Sequence, residues 1–390
     1  MQKTLIYTLA AAGILPATYG GIVGLFYKAL GDPSASLPLY VAADIPNARQ
    51  HPIPSPFGHR TTAMDVVNGI DLRGKVVVIT GGHSGTGREA VRALARAGAT
   101  VIVLARDVER ARRGVSGITN TTVENVDLLK PASIDAFAAR YVQSGRPLHI
   151  LINNAAILGT PLERDERGFE RQFATNVLGH YQLTVRLLPA LERANGARVI
   201  NVASRGHHAG GVLLDDINFH TTPYTGMRAY AQSKTALILL SIKEDALWRD
   251  KQIRVFATTP GPVPTSDLFA AGGVGRKPSR QVMLGRFVAA TLRAVHATEA
   301  LNLLRRPKNE GDLYKTVQQG GATATWAAVS RDLDGKGGVY LEDCDIAPVV
   351  PDEGRAPYGV KSWALDSCAA HRLWSLCEAM TGVRTPTSGA

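Results

Sequence analysis

The stretch Lys75-Val-Val-Val-Ile-Thr-Gly-Gly-His-Ser-Gly-Thr-Gly87 joins a run of apolar residues to a cluster of glycines. The continuous apolar run predicts a strand that is buried on both faces, and the alanine- and arginine-rich residues 88–97 that follow predict a helix. Glycines between a strand and a helix permit a tight turn and let the backbone approach a pyrophosphate, whose charge the helix N-terminal N–H groups can stabilise. An ordinary glycine-rich turn is the alternative interpretation.

Further apolar runs of strand length follow along the chain, mostly separated by helical patterns. They are Val101–Ala105, Thr122–Val126, His149–Ile152, Arg198–Val202, Arg254–Ala257 and Val339–Leu341. Because these runs are continuous rather than alternating, the strands are expected to be covered on both faces, as in a parallel sheet. The sequence therefore predicts an α/β protein with a doubly wound, Rossmann-type parallel sheet of about seven strands and helices on both faces.

The composition excludes several classes of protein. The chain of 390 residues is 45% hydrophobic and 20% charged, which excludes a disordered, collagen-like or coiled-coil protein. Its net charge of +11 comes mainly from scattered arginines, so we expect attraction to anionic ligands or lipid headgroups and no nucleic-acid partner. Cys344, Cys368 and Cys377 form no CxxC pair, which indicates neither a disulfide framework nor a zinc site and favours a reducing compartment.

The N-terminal region is distinct from the rest of the chain. Residues 5–27 carry no charged side chain, and about 20 apolar residues suffice to cross a bilayer, so residues 1–30 are a membrane-anchor candidate. Pro16 and several glycines weaken this prediction, and a cleaved signal peptide or a helix lying on a surface are the alternatives. The proline-rich residues 31–70 are expected to form a linker or a surface wrap.

A series of motifs in the middle of the chain identifies a family resemblance. Thr80, Gly81, Gly85 and Gly87 match the pattern T-G-x-x-x-G-x-G of the short-chain dehydrogenase/reductase family. Further family elements follow in the family's order: Asp127, Asn153-Asn154-Ala155, Asn176, Ser204, Tyr230-x-x-x-Lys234 and Pro260-Gly261. The resemblance covers roughly residues 71–345. The phrases at 173–180 and 215–219 resemble most the retinol-dehydrogenase and protochlorophyllide-reductase-like group.

The resemblance implies a catalytic tetrad of Asn176, Ser204, Tyr230 and Lys234. Tyr230 would be the general acid in ketone reduction and the base in alcohol oxidation, Ser204 would orient the substrate carbonyl, and Lys234 would also hold the nicotinamide ribose. Asn176 would hold a water beside the lysine. Independently, the four-residue spacing places Tyr230 and Lys234 on one helix face, where we expect the ammonium to lower the pKa of the phenol.

The residue after the second strand indicates the choice of cofactor. NAD-preferring relatives place an acid there, whereas this chain has Arg106, whose guanidinium can pair with a 2′-phosphate. We therefore predict NADP(H), with NAD(H) as the alternative, and interpret Asp107 as a helix N-cap. Asp127 would contact the adenine, or instead cap the helix that begins near Pro131.

The predicted cofactor contacts include glycine-turn residues and the residues that follow other strands. They are Gly81, His83, Ser84, Gly85, Thr86, Gly87, Arg106, Asp127, Asn154, Ala155, Tyr230, Lys234, Pro260, Gly261, Val263 and Thr265. No metal is expected, because the adjacent His207 and His208, taken as loop residues, belong to no metal-binding pattern.

The function predicted from the sequence is an NADP(H)-dependent oxidoreductase that transfers hydride between nicotinamide and an alcohol or carbonyl of an apolar small molecule. The substrate would be a ketone or a retinoid-like, lipid or polycyclic compound. A C=C reductase and a non-catalytic, membrane-tethered NADPH sensor are the alternatives. The catalytic domain would span residues 71–350, with a substrate lid at about 265–306 and a C-terminal extension at 351–390.

Location and assembly are further expectations. The chain is expected to associate with a membrane through residues 5–27, with its catalytic domain facing the cytosol, and a soluble cytoplasmic protein is the alternative. The family resemblance also implies a homo-oligomer.

Overall fold

The computed structural model describes residues 49–264, 268, 298, 302, 313–354 and 356–385. The candidate anchor at 1–30, residues 31–48 of the predicted linker and nearly all of the predicted lid lie outside these residues. Among the described residues, no helix combines the length and the apolarity needed to cross a bilayer.

The centre of the protein is a sheet with the strand order β3-β2-β1-β4-β5-β6-β7-β8. Its strands are β1 (Val76–Thr80), β2 (Thr100–Ala105), β3 (Thr121–Asn125), β4 (Ile150–Asn153), β5 (Ala197–Val202), β6 (Ile253–Thr258), β7 (Val339–Glu342) and β8 (Asp345–Ile346). The strands from β3 to β7 are parallel, and β8 alone runs antiparallel to its neighbour β7. The predicted doubly wound parallel sheet is confirmed.

Within the residues that the structure describes, helices lie before, between and after the strands along the chain. They are α1 (Ala63–Val66), α2 (Gly85–Arg96), α3 (Val108–Val115), α4 (Pro131–Gln143), α5 (Arg171–Phe173), α6 (Gly179–Arg193), α7 (Gly226–Trp248), α8 (Val317–Gly320), α9 (Ala322–Val329) and α10 (Ser367–Thr381). A π-helical turn, Ala174–Leu178, joins α5 to α6, and a 3-10 turn, Arg205–Ala209, follows β5.

Alternate side chains of the strands enter two different hydrophobic cores. Val78 of β1 packs in the core that contains residues of α4 and α6, whereas its neighbours Val77 and Ile79 pack in the core that contains residues of α2 and α9. All three side chains are completely buried. Successive residues of a strand point to opposite faces, so a sheet covered on both faces needs an apolar residue at every position.

The segment predicted to be a C-terminal extension contributes to the first of these cores. Trp374 of α10 packs edge-on against Tyr181 of α6 at 4.9 Å and against Trp248 of α7 at 6.0 Å between ring centroids. A two-stranded parallel ladder, β9 (Val349–Val350) with β10 (Val360–Lys361), connects the main sheet to this helix. The described residues after 350 are therefore packed onto the domain.

Candidate active site

The predicted site residues meet at one edge of the sheet, because parallel strands end on the same side. The glycine turn follows β1, Arg106 follows β2, Asp127 follows β3, Asn154 follows β4, Ser204 follows β5 and Pro260 follows β6. Tyr230 and Lys234 lie near the start of α7. Thr265 lies outside the described residues.

The glycine turn leaves the N-terminus of α2 open. Gly81 and Gly85 have φ angles of +65° and +54°, in the left-handed region that favours glycine. Ser84 is the N-cap of α2, but its side chain makes no capping hydrogen bond to the helix. A helix N-terminus without a side-chain cap presents its amide N–H groups to an anion. The turn therefore fits the pyrophosphate of a dinucleotide.

The turn is braced from β4 by a set of hydrogen bonds centred on Thr80. The Thr80 hydroxyl oxygen accepts the amides of Asn154 at 2.9 Å and Ala155 at 3.0 Å, and it contacts Nε2 of the buried His180 at 2.8 Å. The side-chain amide of Asn154 donates to the Thr80 carbonyl at 3.0 Å. A β-carbon on Gly87 would lie 2.5 Å from that amide nitrogen, which explains the glycine. This side-chain amide thus holds the turn in place.

The residues after β2 and β3 lie at the end of the site expected to receive the adenosine. Arg106 is exposed there. Asp107 accepts the amide of Arg110 at 2.9 Å and caps α3, as its position predicted. Asp127 accepts the amide of Leu129 at 3.0 Å, whereas the N-cap of α4 is Lys130. The alternative interpretation of Asp127 as the cap of that helix is therefore wrong.

Ser204 and Tyr230 form the centre of the arrangement. Ser204 Oγ and the Tyr230 ring both border Gly206, whose backbone amide donates to that Oγ at 3.0 Å, and a hydrogen bond from the Ser204 side chain lowers the pKa of the phenol. The Tyr230 side chain is buried. Because the Gly206 amide occupies one acceptor position of Oγ, the serine hydroxyl keeps its proton available for a neighbouring oxygen.

Lys234 lies on the same face of α7 as Tyr230. Its Nζ donates to the carbonyl of Val202 at 2.7 Å and lies 5.6 Å from the centre of the Tyr230 ring. Burial raises the pKa of Tyr230 to about 12, although the Ser204 hydrogen bond opposes this shift. Burial also lowers the pKa of Lys234 to about 7. The expected lowering of the phenol's pKa is therefore wrong for the protein by itself, because desolvation, the largest cause, raises that pKa.

Asn176 lies in the π-helical turn, an irregularity that is frequent at functional sites. Its side chain accepts the amide of Ile157 at 2.9 Å and donates to the Ile157 carbonyl and to Oγ of Ser233, both at 3.0 Å. Its backbone carbonyl accepts Nδ1–H of His180 at 2.9 Å. Asn176 thus connects the loop after β4 to α7 at Ser233, the residue before Lys234. None of these hydrogen bonds involves Lys234 itself.

The turn after β6 has a partner that the sequence analysis missed. Gly261 has φ +73°, and the stem of the fully buried Lys315 lies beside it. The Lys315 amide donates to the carbonyl of Pro262 at 2.8 Å, and its ammonium pairs with Asp343. Val263 is also buried. No sequence motif indicates a site residue at position 315, because its contact with residue 261 arises only in the folded protein.

The two adjacent histidines lie between β5 and α7. His207 and His208 lie in the 3-10 turn after Ser204, and His207 is completely buried. Within the described part of the chain, no three His, Cys, Asp or Glu side chains are grouped as a metal site.

Comparison with known proteins identifies relatives among short-chain dehydrogenases/reductases. A profile described as "short chain dehydrogenase" matches residues 75–271. The short-chain dehydrogenase/reductase prx1 of Penicillium roqueforti is 31% identical over 333 residues, which cover 82% of this chain and 90% of that protein. Polyprenol dehydrogenase of Danio rerio is 32% identical over 286 residues, 70% of this chain and 79% of that one. The Pseudomonas aeruginosa RhlG/NADP active-site complex aligns with a TM-score of 0.50 and 25% identity, over 70% of this chain and 95% of that one.

Proposed function

This chain belongs to the short-chain dehydrogenase/reductase family of oxidoreductases, which use NAD(P)H, and from that premise we propose that it transfers hydride between NADP(H) and an alcohol or carbonyl carbon of an apolar small molecule. The observation that carries this proposal is the close approach of Ser204 and Tyr230, which both border Gly206 at the carboxyl edge of the sheet, with Lys234 one helical turn further on.

In the reductive direction the two hydroxyl groups act on the carbonyl oxygen of the substrate. The bound nicotinamide supplies the hydride. Ser204 donates a hydrogen bond to the oxygen and stabilises the negative charge that develops there. Tyr230 delivers its phenolic proton to the same oxygen, so that a carbonyl, a hydride and a proton become an alcohol. In the oxidative direction the phenol oxygen takes that proton back.

The phenol needs help to carry out this exchange near neutral pH. Burial holds the pKa of Tyr230 at about 12, so its proton leaves readily only when positive charge is near. Lys234 is held beside the ring by the Val202 carbonyl, where it can supply that charge when protonated. The bound oxidised cofactor would add a second positive charge.

The preference for NADP(H) is supported by Arg106. Its exposed side chain follows β2, and the preceding residue is alanine, so no carboxylate at that position repels a 2′-phosphate. The Pseudomonas aeruginosa RhlG structure is itself an NADP complex.

The apolar substrate class is supported by sequence similarity. The Danio rerio relative is named as a polyprenol dehydrogenase, and polyprenols are long apolar alcohols. The phrases at 173–180 and 215–219 point toward the retinol-dehydrogenase-like members of the family. We therefore propose a retinoid-like, lipid, ketone or polycyclic substrate.

The experiment is activity profiling of the purified full-length chain with NADPH and with NADH. The carbonyl panel contains all-trans-retinal, a polyprenal, a long-chain 2-ketone and 9,10-phenanthrenequinone, and the matching alcohols test oxidation. We expect turnover that is faster with NADPH, with a new hydroxyl group in the reduced product. A saturated carbon–carbon bond in the product would establish the C=C reductase instead. NADPH binding without turnover across the panel would favour the sensor.

Membrane association through residues 5–27, with the catalytic domain facing the cytosol, is a further part of the proposal. It is supported by the uncharged stretch and by the net charge of +11. We expect the full-length chain to float with liposomes, and the double variant Leu15→Arg/Val23→Arg to lose this behaviour. Ser34→Arg, with a charge added outside the stretch, is the control. Flotation that survives the double substitution would exclude this segment as the anchor.

A further inference from the structure

The side chain of His207 links the backbone of Ser204 to a distant part of the chain. Its Nδ1 lies 2.7 Å from the carbonyl oxygen of Ser204, and its Nε2 lies 3.3 Å from the backbone amide of Lys361. A carbonyl oxygen only accepts and an amide N–H only donates. Nδ1 must therefore carry the proton and Nε2 must accept, so one neutral tautomer satisfies both bonds.

The partner of His207 belongs to a short segment, residues 359–363, that we call the C-terminal clasp. Two more hydrogen bonds connect it to the same 3-10 turn. The indole of Trp363 donates to the carbonyl of His207 at 3.1 Å, and Nε2 of His208 donates to the carbonyl of Gly359 at 2.9 Å. The clasp lies beyond residue 271, where the match to the family profile ends.

The clasp is itself held in place by buried polar contacts. The Lys361 ammonium is enclosed by the carbonyls of Pro351, Asp352 and Gly354, the last two at 3.2 Å. The Lys361 residue is only 1% exposed. A buried ammonium with several carbonyl partners is a strong local constraint, because its release would leave a charge in the interior. The clasp is therefore a well-anchored support for the 3-10 turn.

We propose that His207 is a positioning residue for Ser204, and that the C-terminal clasp thereby forms part of the active site. The inference rests on the proposed function. Ser204 is held at two atoms: the Gly206 amide holds its Oγ, and its carbonyl oxygen accepts both the His207 imidazole at 2.7 Å and the His207 backbone amide at 3.1 Å. Without the imidazole, the longer bond from the His207 backbone amide alone holds this carbonyl, so the Ser204 peptide gains freedom to rotate and to carry Oγ away from Tyr230. A misplacement of about 1 Å can reduce a rate roughly 100-fold.

The test compares two substitutions of His207. His207→Phe keeps the ring shape but removes both hydrogen bonds. His207→Asn places an amide nitrogen where Nδ1 was, so it keeps the donor to the Ser204 carbonyl and loses only the acceptor for Lys361. With NADPH and the carbonyl panel above, we expect His207→Phe to lower kcat roughly 10- to 100-fold without changing NADPH affinity, measured by fluorescence. We expect His207→Asn to recover most of kcat.

The matched control is His208→Phe. It removes a bond between the same turn and the same clasp, but one that does not reach Ser204, so we expect kcat to stay near that of the wild type. Wild-type kcat in His207→Phe would overturn the inference, and so would equal loss of kcat in His207→Asn and His207→Phe.

If His207→Phe fails to fold, Trp363→Phe replaces it. This variant loses the bond to the carbonyl of His207, the residue that contacts Ser204, whereas the bond lost in His208→Phe does not involve His207. We therefore expect a smaller fall in kcat, and wild-type kcat would again overturn the inference.

The outcome separates this inference from the proposed function. A folded wild type that binds NADPH but turns over nothing in the panel contradicts the proposed function. An active wild type with an unaffected His207→Phe contradicts only the role of His207.

Discussion

The ring of Tyr230 occupies the space that a side chain at Gly206 would need. A β-carbon built on Gly206 would lie 2.8 Å from Cε1 of Tyr230 and 3.3 Å from Oγ of Ser204. The first distance is shorter than real β-carbon contacts, so the two residues leave no room for a side chain. Gly206 also donates its amide to the Ser204 hydroxyl. One glycine thus sets the distance between the two hydroxyl-bearing residues.

Gly206→Ala is expected to push the Tyr230 ring away from Ser204 and to lower kcat roughly 10- to 100-fold, with NADPH affinity unchanged. Steady-state kinetics and NADPH fluorescence provide the measurement. Gly211→Ala is the matched control, since a β-carbon there would meet only Trp363 atoms at 3.9 to 4.0 Å, an ordinary contact. Equal kcat values in the two alanine variants would contradict the steric argument.

Tyr230→Phe removes the proton donor while it keeps the aromatic ring. We expect kcat to fall roughly 100- to 10 000-fold, the typical contribution of a positioned general acid. NADPH binding should persist. Tyr141→Phe on α4 is the control, because its hydroxyl donates only to the Pro147 carbonyl, and its kcat should match that of the wild type. Undiminished turnover by Tyr230→Phe would exclude this phenol as the acid.

Arg106→Glu places a carboxylate where a 2′-phosphate is expected. Charged hydrogen bonds contribute about 1.5–3 kcal/mol, so we expect the KM for NADPH to rise roughly 10- to 100-fold while NADH is used at least as well as before. Arg96→Glu makes the same change in charge at the exposed C-terminal end of α2. Steady-state kinetics with NADPH and with NADH measure the two KM values. If the ratio of KM for NADPH to KM for NADH in Arg106→Glu equals that of the wild type, Arg106 does not provide the NADP(H) preference.

Glu244 gives the folded protein a pH-dependent stability. Burial raises the pKa of its carboxyl from 4.5 to about 8, although the side-chain amide of Asn201 donates to it. Between these pH values the folded state keeps a proton that the unfolded state has lost, so this group makes stability fall as pH rises, by at most about 1.4 kcal/mol per pH unit.

Glu244→Gln keeps the acceptor for Asn201 and cannot ionise. Urea unfolding from pH 5 to pH 8 should therefore show a gain in stability over the wild type that grows with pH across this window. Glu166→Gln, at an exposed position, should follow the wild-type curve. A difference between Glu244→Gln and the wild type that stays constant with pH would show that Glu244 does not titrate in this range.

Much of the site could be predicted from the sequence because its signals are local. A continuous apolar run such as that of β1 predicts a strand that is buried on both faces. The glycines after it predict a turn with no room for side chains. The spacing of Tyr230 and Lys234 reports a shared helix face. The position of Asp107 predicts a helix cap for the same reason, and this is confirmed, since its partner Arg110 is three residues away.

Other features depend on contacts between distant parts of the chain. The spacing of Tyr230 and Lys234 predicts a lowered pKa for the phenol, yet the packing that buries the phenol raises that pKa. No local sequence pattern indicates how deeply a side chain is buried. The function of Asn154 as a brace for the glycine turn depends on a contact with Thr80, 74 residues earlier.

The sequence alone determined the parallel sheet, the edge at which the site lies and the side chains that meet there. It could do so because the periodicity and spacing of residues along a strand or helix determine the direction in which their side chains point. Only the tertiary structure decided how those side chains are held and how readily they ionise. His207 meets Lys361 across 154 residues, and Lys315 reaches Gly261 beside an ion pair with Asp343. Such contacts arise from the packing of whole elements, since desolvation and hydrogen bonding depend on every neighbour in space.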